Sequence, residues 1–114
     1  MNISTIVDLT SGKEITNFDS SEIKIDFAMA SDLMSDVLTL DTENTMLITG
    51  LANIQTIRTA EMSDVHCIVI ARNKRSTPEM IELANESGIV IIESQHAMYK
   101  LSGVLYNKGI KEIY

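Results

Sequence analysis

A chain of 114 residues makes one domain and buries roughly two-thirds of the surface its unfolded form would expose, so it needs no disulfide or metal to fold. Its one cysteine, Cys67, excludes an internal disulfide framework and a cysteine-rich zinc site; inside an apolar run it reads as a small buried hydrophobe. The net charge of -7 speaks against sequence-independent binding of nucleic acid, no stretch approaches the roughly 18 to 20 apolar residues that cross a bilayer, and the first residues lack a signal-peptide layout, so a cytoplasmic protein is expected.

Ile3, Ile6 and Val7 stand at helical spacing and predict a short helix stopped near Gly12. A strand over residues 3–9 is the alternative, because so short an apolar run fits either period. Residues 14–16 read as a short strand, and the Asn, Asp and Ser of residues 17–21 as a turn. Ile23, Ile25 and Phe27 alternate with Lys24 and Asp26, which predicts a half-buried strand running to about Met29. Ser31 then offers an N-cap and Asp32 a charge for the positive end of a helix dipole, so a short helix is expected there, with Leu33, Met34, Val37 and Leu38 as its apolar face.

From Thr45 onward the chain repeats a rhythm of apolar run, polar corner and helical stretch, the signature of a parallel α/β sheet. The runs are residues 46–48, 67–70 and 89–92. Asn53 is a candidate cap for a helix over residues 53–62. Thr77 as N-cap, Pro78 at the first helical position and Glu79 near the dipole predict a second helix ending at Gly88. A last helix over residues 95–107 carries Ala97, Met98, Leu101, Val104 and Leu105 as its apolar stripe and stops at Gly109. Gly103 in its middle costs about 1 kcal/mol relative to Ala, which close packing against another backbone would offset. Met34, Met46, Met62, Met80 and Met98 fall where the pattern wants an apolar residue, which predicts core positions.

Ligands of open α/β sheets sit outside the carboxyl ends of the strands. The corners there are Thr49-Gly50, Ala71-Arg72-Asn73 and Glu93-Ser94-Gln95-His96. Arg72, Lys74 and Arg75 form a local basic cluster that suits a small anion, the other reading being an ordinary solvated loop. Known phosphate cradles are missing, since no P-loop or G-x-G-x-x-G occurs. His66 and His96 lack metal-ligand spacing, so no metal site is expected. Ser94 and His96 share one corner without a third orienting group, which falls short of a nucleophile with its base. Asp32 and Asp36 lie one helical turn apart and share a face, either a solvated one or one that meets a cation or hydroxyl.

The segments Ala30-Ser31-Asp32-Leu33-Met34-Ser35-Asp36-Val37, Leu47-Ile48-Thr49-Gly50, Ser76-Thr77-Pro78-Glu79 and Leu101-Ser102-Gly103-Val104-Leu105-Tyr106 resemble the DRTGG domain family, above all its small stand-alone members. The resemblance covers nearly the whole chain. It implies a fold similar to the N-terminal domain of HPr kinase/phosphorylase, without a kinase domain and without catalytic residues. Relatives within phosphotransacetylases, between the cystathionine-β-synthase-type domains of pyrophosphatases, and beside anaerobic hydrogenase systems imply a regulatory role, a dimer interface and a redox or hydrogenase-associated partner. The signature corners differ: Gly50-Leu51-Ala52 stands where members have Gly-Asp-Arg, and Ala71-Arg72-Asn73 where they have Thr-Gly-Gly.

Taken together, the expectation is one compact α/β domain over residues 1–114, a mainly parallel sheet flanked by helices, like the HPr kinase N-terminal domain. Its expected function is non-catalytic and regulatory: a homodimer that senses a small anionic or nucleotide-like ligand and carries no cofactor. The contact residues expected are Ser31, Asp32, Thr49, Gly50, Asn53, Arg72, Asn73, Ser94 and His96. Two alternatives stand beside it, a small hydrolase or transferase using Asp32, Asp36 or His96, and a pure protein-interaction module whose last helix packs through Gly103.

Overall fold

Strand and helix alternate along the chain as its apolar runs and caps dictate. The computed structural model describes residues 1–114 as α1 (Ile3–Thr10), β1 (Lys13–Glu14), β2 (Phe27–Ala30), α2 (Met34–Val37), β3 (Thr45–Thr49), α3 (Ile54–Met62), β4 (Cys67–Ile70), α4 (Pro78–Ser87), β5 (Val90–Glu93), α5 (Met98–Asn107) and β6 (Lys111–Glu112). One sheet holds every strand in the order β1-β5-β4-β3-β2-β6, and only β1 runs antiparallel to its neighbour. The fold is therefore α/β with a mostly parallel sheet.

Successive residues of a strand point to opposite faces, so a strand covered on both sides must be apolar throughout. That is why β3, β4 and β5 read as unbroken runs. Met46, Ile48, Cys67, Val69, Val90 and Ile92 face a core closed by α1 and α5 through Ile3, Ile6, Leu101 and Leu105. Leu47, Ile68, Ile70 and Ile91 face the other way, onto Val37, Ile57, Met80 and Ala84 from α2, α3 and α4. Burial removes Cys67 from water and pushes its thiol up to about 12, with the Glu14 charge adding to the shift.

The caps read from the sequence are in place where they depend on local geometry alone. Thr77 Oγ1 accepts from the Met80 N–H at 3.2 Å, Pro78 opens α4, and Gly88 closes it at φ 70°. Asn53 caps α3 in the same way, its Oδ1 accepting from the Thr56 N–H at 3.1 Å. The expected helix near Gly12 is α1, closed by Ser11 at φ 50°. Gly12 matters instead for close packing, since a Cβ there would lie 2.5 Å from Ile92 Cγ2 and 2.8 Å from Thr10 Oγ1. Gly12→Ala is therefore expected to lower stability by about 1 kcal/mol or more through overpacking, as read by urea denaturation. An unchanged midpoint would show that the α1–β1 corner yields freely.

Several expectations need correction. The strand expected over residues 23–29 is confined to Phe27–Ala30, because the Ile25 N–H donates to Met1 O and Lys24 makes only an isolated bridge with Asn2. The helix expected to start at Ser31 starts at Met34, and of its apolar face only Val37 is buried; Leu33 and Leu38 are exposed. Met62, expected in the core, is 73% exposed, since the buried stripe of α3 ends at Ala60. The strand expected over 89–92 is Val90–Glu93. The last helix begins at Met98 rather than Gln95, with the His96 carbonyl accepting from the Arg72 N–H at 2.8 Å across the sheet edge. Gly103 packs against nothing within the chain, because a Cβ added there would meet open space.

Candidate functional site

Strands β2, β3, β4 and β5 are parallel neighbours, so their carboxyl ends share one edge. The corners that follow them bring together Ser31-Asp32, Thr49-Gly50, Arg72-Asn73 and Ser94-His96.

Asp32 organises the first two corners. Its Oδ1 accepts from the Gly50 N–H at 2.7 Å and from Thr49 Oγ1 at 2.9 Å, while Thr49 Oγ1 itself accepts from the Leu51 N–H at 3.1 Å. A carboxylate held by two donors ties the end of β2 to the end of β3. This also explains the late start of α2: residue 32 is committed to β3 instead of a helical first turn. Ser31 Oγ accepts from the Leu33 N–H at 3.0 Å and lies 3.5 Å from Asp36 Oδ2. Asp32 and Asp36 thus serve different neighbours.

The corner after β4 coils left-handed, with Arg72 at φ 61° and Asn73 at φ 59°. Such a conformation costs most residues roughly 1–2 kcal/mol, Asn and Gly less. These are the positions where the resemblance places the paired glycines, residues that adopt such a conformation without that cost. The turn is pinned by the Arg72 N–H on His96 O and by the Asn73 N–H on Ser94 O at 2.9 Å. It carries the Arg72 guanidinium over Gly50. From the point where a Gly50 Cβ would stand, Arg72 Nη2 is 3.1 Å away and Asp32 Oδ1 3.6 Å. Arg72 forms no ion pair, unlike Arg75, whose Nη1 is 3.5 Å from Glu93 Oε1.

Three of the expected contact residues have other duties. Ser94 is 2% exposed; its Oγ donates to Thr10 O at 2.7 Å and accepts from the His96 N–H at 3.2 Å, which fastens β5 to the end of α1. Asn53 spends its oxygen on the α3 cap. His96 joins the corner through its carbonyl, and its half-buried ring has no hydrogen-bond partner among the side chains.

Lys13 was missed by sequence reasoning. It lies on β1, paired with Glu93, and lines a cleft of about 270 Å³ with Asn73, Arg75 and Gln95. Nothing local marks it, since the antiparallel pairing that delivers it joins residues far apart in the chain. Glu93 forms part of the wall; its Oε2 accepts from the Ser76 N–H at 2.7 Å and its side chain is 10% exposed. A larger groove of about 480 Å³ lies away from this edge between α3 and α4, where Glu79, Glu82 and Glu86 outnumber Arg58. Its charge disfavours an anion. No three His, Cys, Asp or Glu side chains gather in a form that would hold a metal ion, and no helix is long and apolar enough to cross a membrane.

Known proteins match this architecture. No curated protein sequence matches the chain. Among solved structures, the fold is similar to the CBS and DRTGG domains of the regulatory region of Clostridium perfringens pyrophosphatase, complexed with its activator diadenosine tetraphosphate. The TM-score is 0.70 at 15% sequence identity, over 91% of this chain and 45% of that one, so this chain spans less than half of that region. The family model described as HPr serine kinase N terminus matches residues 46–107, which hold β3, β4, β5 and most of the site edge. By that match the chain belongs to the HPr serine kinase N-terminus family, and it is a DRTGG-like domain.

Proposed function

We propose that this domain is a non-catalytic regulatory module that senses a small anionic or nucleotide-like ligand at the carboxyl edge of its sheet. The observation that carries the reading is Arg72: a guanidinium without an ion-pair partner, brought over the small Gly50 by a left-handed turn. Strained backbone at a ligand-facing corner is a recurrent feature of binding sites. The similar pyrophosphatase region is regulatory and was solved with an anionic activator, which supports the same class of role here. The acid–base alternative finds no support: Asp32 is occupied by two donors, Asp36 sits beside Ser31, and neither pairs with His96.

In thermal-shift titrations with inorganic pyrophosphate as probe, the wild-type chain is expected to gain stability by mass action. Arg72→Ala should abolish most of that gain while leaving the unliganded melting temperature near wild type. An undiminished shift in the variant would remove Arg72 from the site.

A homodimer is the second part of the reading. Tyr99 and Tyr106 on α5 are 93% and 63% exposed, and Gly103 between them opens to solvent, so one helix face offers aromatic rings beside bare backbone. Sedimentation at micromolar concentration is expected to return twice the monomer mass, and a monomer would dismiss a stable dimer.

A further inference from the structure

We infer that the anion sensed at this edge is a linear oligophosphate, recognised by its row of phosphates and not by a base. The inference rests on the anion-sensing reading above and specifies its ligand. Four of the nine Lys and Arg residues of a chain with net charge -7 belong to this edge: Arg72, Lys74 and Arg75 from the turn after β4, and Lys13 from β1. Such a concentration of one sign runs against the field of the whole molecule and attracts anions locally.

The cations form two groups. Arg72 stands over Gly50 at the end of β3, and Lys13 with Arg75 lines the cleft beside β5 and β1. Between β3 and β1 the sheet order β1-β5-β4-β3 places three ladder spacings. At about 4.8 Å each these span about 14 Å, so a single phosphate meets one group or the other while a chain of several phosphates reaches both.

Three carboxylates lie at the edge: Asp32 and Glu93 are already supplied with donors, and Asp36 sits beside Ser31. Asp32 accepts from Thr49 and Gly50, and Glu93 accepts from the Ser76 N–H and faces Arg75. The balance of the edge stays positive. The cleft has no apolar or aromatic lining residue, so it offers no platform on which a base could stack. Selectivity therefore falls on the number of phosphates.

Calorimetric titration of the full chain with orthophosphate, pyrophosphate, tripolyphosphate, ATP and GTP tests this. Arg75 and Lys13 are exposed, so a Lys13→Ala/Arg75→Ala variant is expected to fold, with circular dichroism as the check. Affinity should rise about tenfold or more from orthophosphate to tripolyphosphate, with ATP and GTP within about threefold of each other. Arg72→Ala and the double variant should each weaken tripolyphosphate about tenfold. Orthophosphate binding as tight as tripolyphosphate, dependent on Arg72 alone, would overturn the oligophosphate and leave the anion site standing. A strong preference for ATP over GTP would overturn recognition by phosphates alone. Failure of every probe to bind the folded protein would overturn the anion-sensing reading with it.

Discussion

Asp32→Ala is expected to lower the unfolding free energy by about 2 kcal/mol, because hydrogen bonds to charged groups contribute about 1.5 to 3 kcal/mol and this carboxylate is partly open to solvent. The loss has a specific origin. Gly50 is buried, and its N–H donates to Asp32 Oδ1 at 2.7 Å; without that oxygen the donor is stranded beside a Thr49 hydroxyl that has also lost its acceptor. Asp32→Asn keeps a side-chain oxygen and should lose about half as much. Urea denaturation measures both, and an alanine variant as stable as wild type would dismiss Asp32 as the tie between β2 and β3. The asparagine variant carries a second expectation. With a negative charge removed close to the Arg72 guanidinium, pyrophosphate should bind several-fold more tightly, provided that Arg72 is the anion's partner.

Arg72→Gly is expected to move stability and binding in opposite directions. Glycine adopts φ 61° freely, so the folded turn loses its strain; the greater freedom of the unfolded chain takes back part of the gain, leaving up to about 1 kcal/mol of stabilisation. The same change removes the guanidinium and with it the stabilisation by pyrophosphate. Arg72→Ala separates the two effects, since it keeps the left-handed strain and removes only the charge. Melting temperatures with and without probe distinguish them. A glycine variant less stable than wild type would mean that the arginine side chain holds the turn, and would shift its role from ligand to scaffold.

The family resemblance gains a physical content from these corners. Two positions with left-handed backbone suit paired glycines, and Arg72 and Asn73 hold that conformation at some conformational cost. The family match itself covers residues 46–107, the stretch in which strand, corner and helix alternate most regularly.

What the chain announces locally proved legible. β3 and β4 fall where unbroken apolar runs placed them, since a strand covered on both faces has no other composition available. Thr77-Pro78 and Gly88 bound α4 because a cap depends on a few neighbouring dihedral angles. The strand-end corners, with Thr49, Gly50, Arg72 and Asn73, follow from the same alternation once the sheet is parallel.

Long-range pairing decided the rest. Residues 23–26 alternate like a strand, yet Ile25 bonds the first residue of the chain and Asp26 accepts from the Lys111 N–H. Ser31-Asp32 has the composition of a helix start, yet a carboxylate satisfied by a buried N–H and a hydroxyl binds more firmly than one solvated at a helix end. Ser94 looked like a ligand contact until α1 claimed its hydroxyl, and Lys13 looked like nothing until β1 paired beside β5. Periodicity and capping act over a turn or two of backbone, and so they are written in neighbouring residues. The company a polar side chain keeps depends on which distant strand reaches it, and that is settled only when the sheet closes.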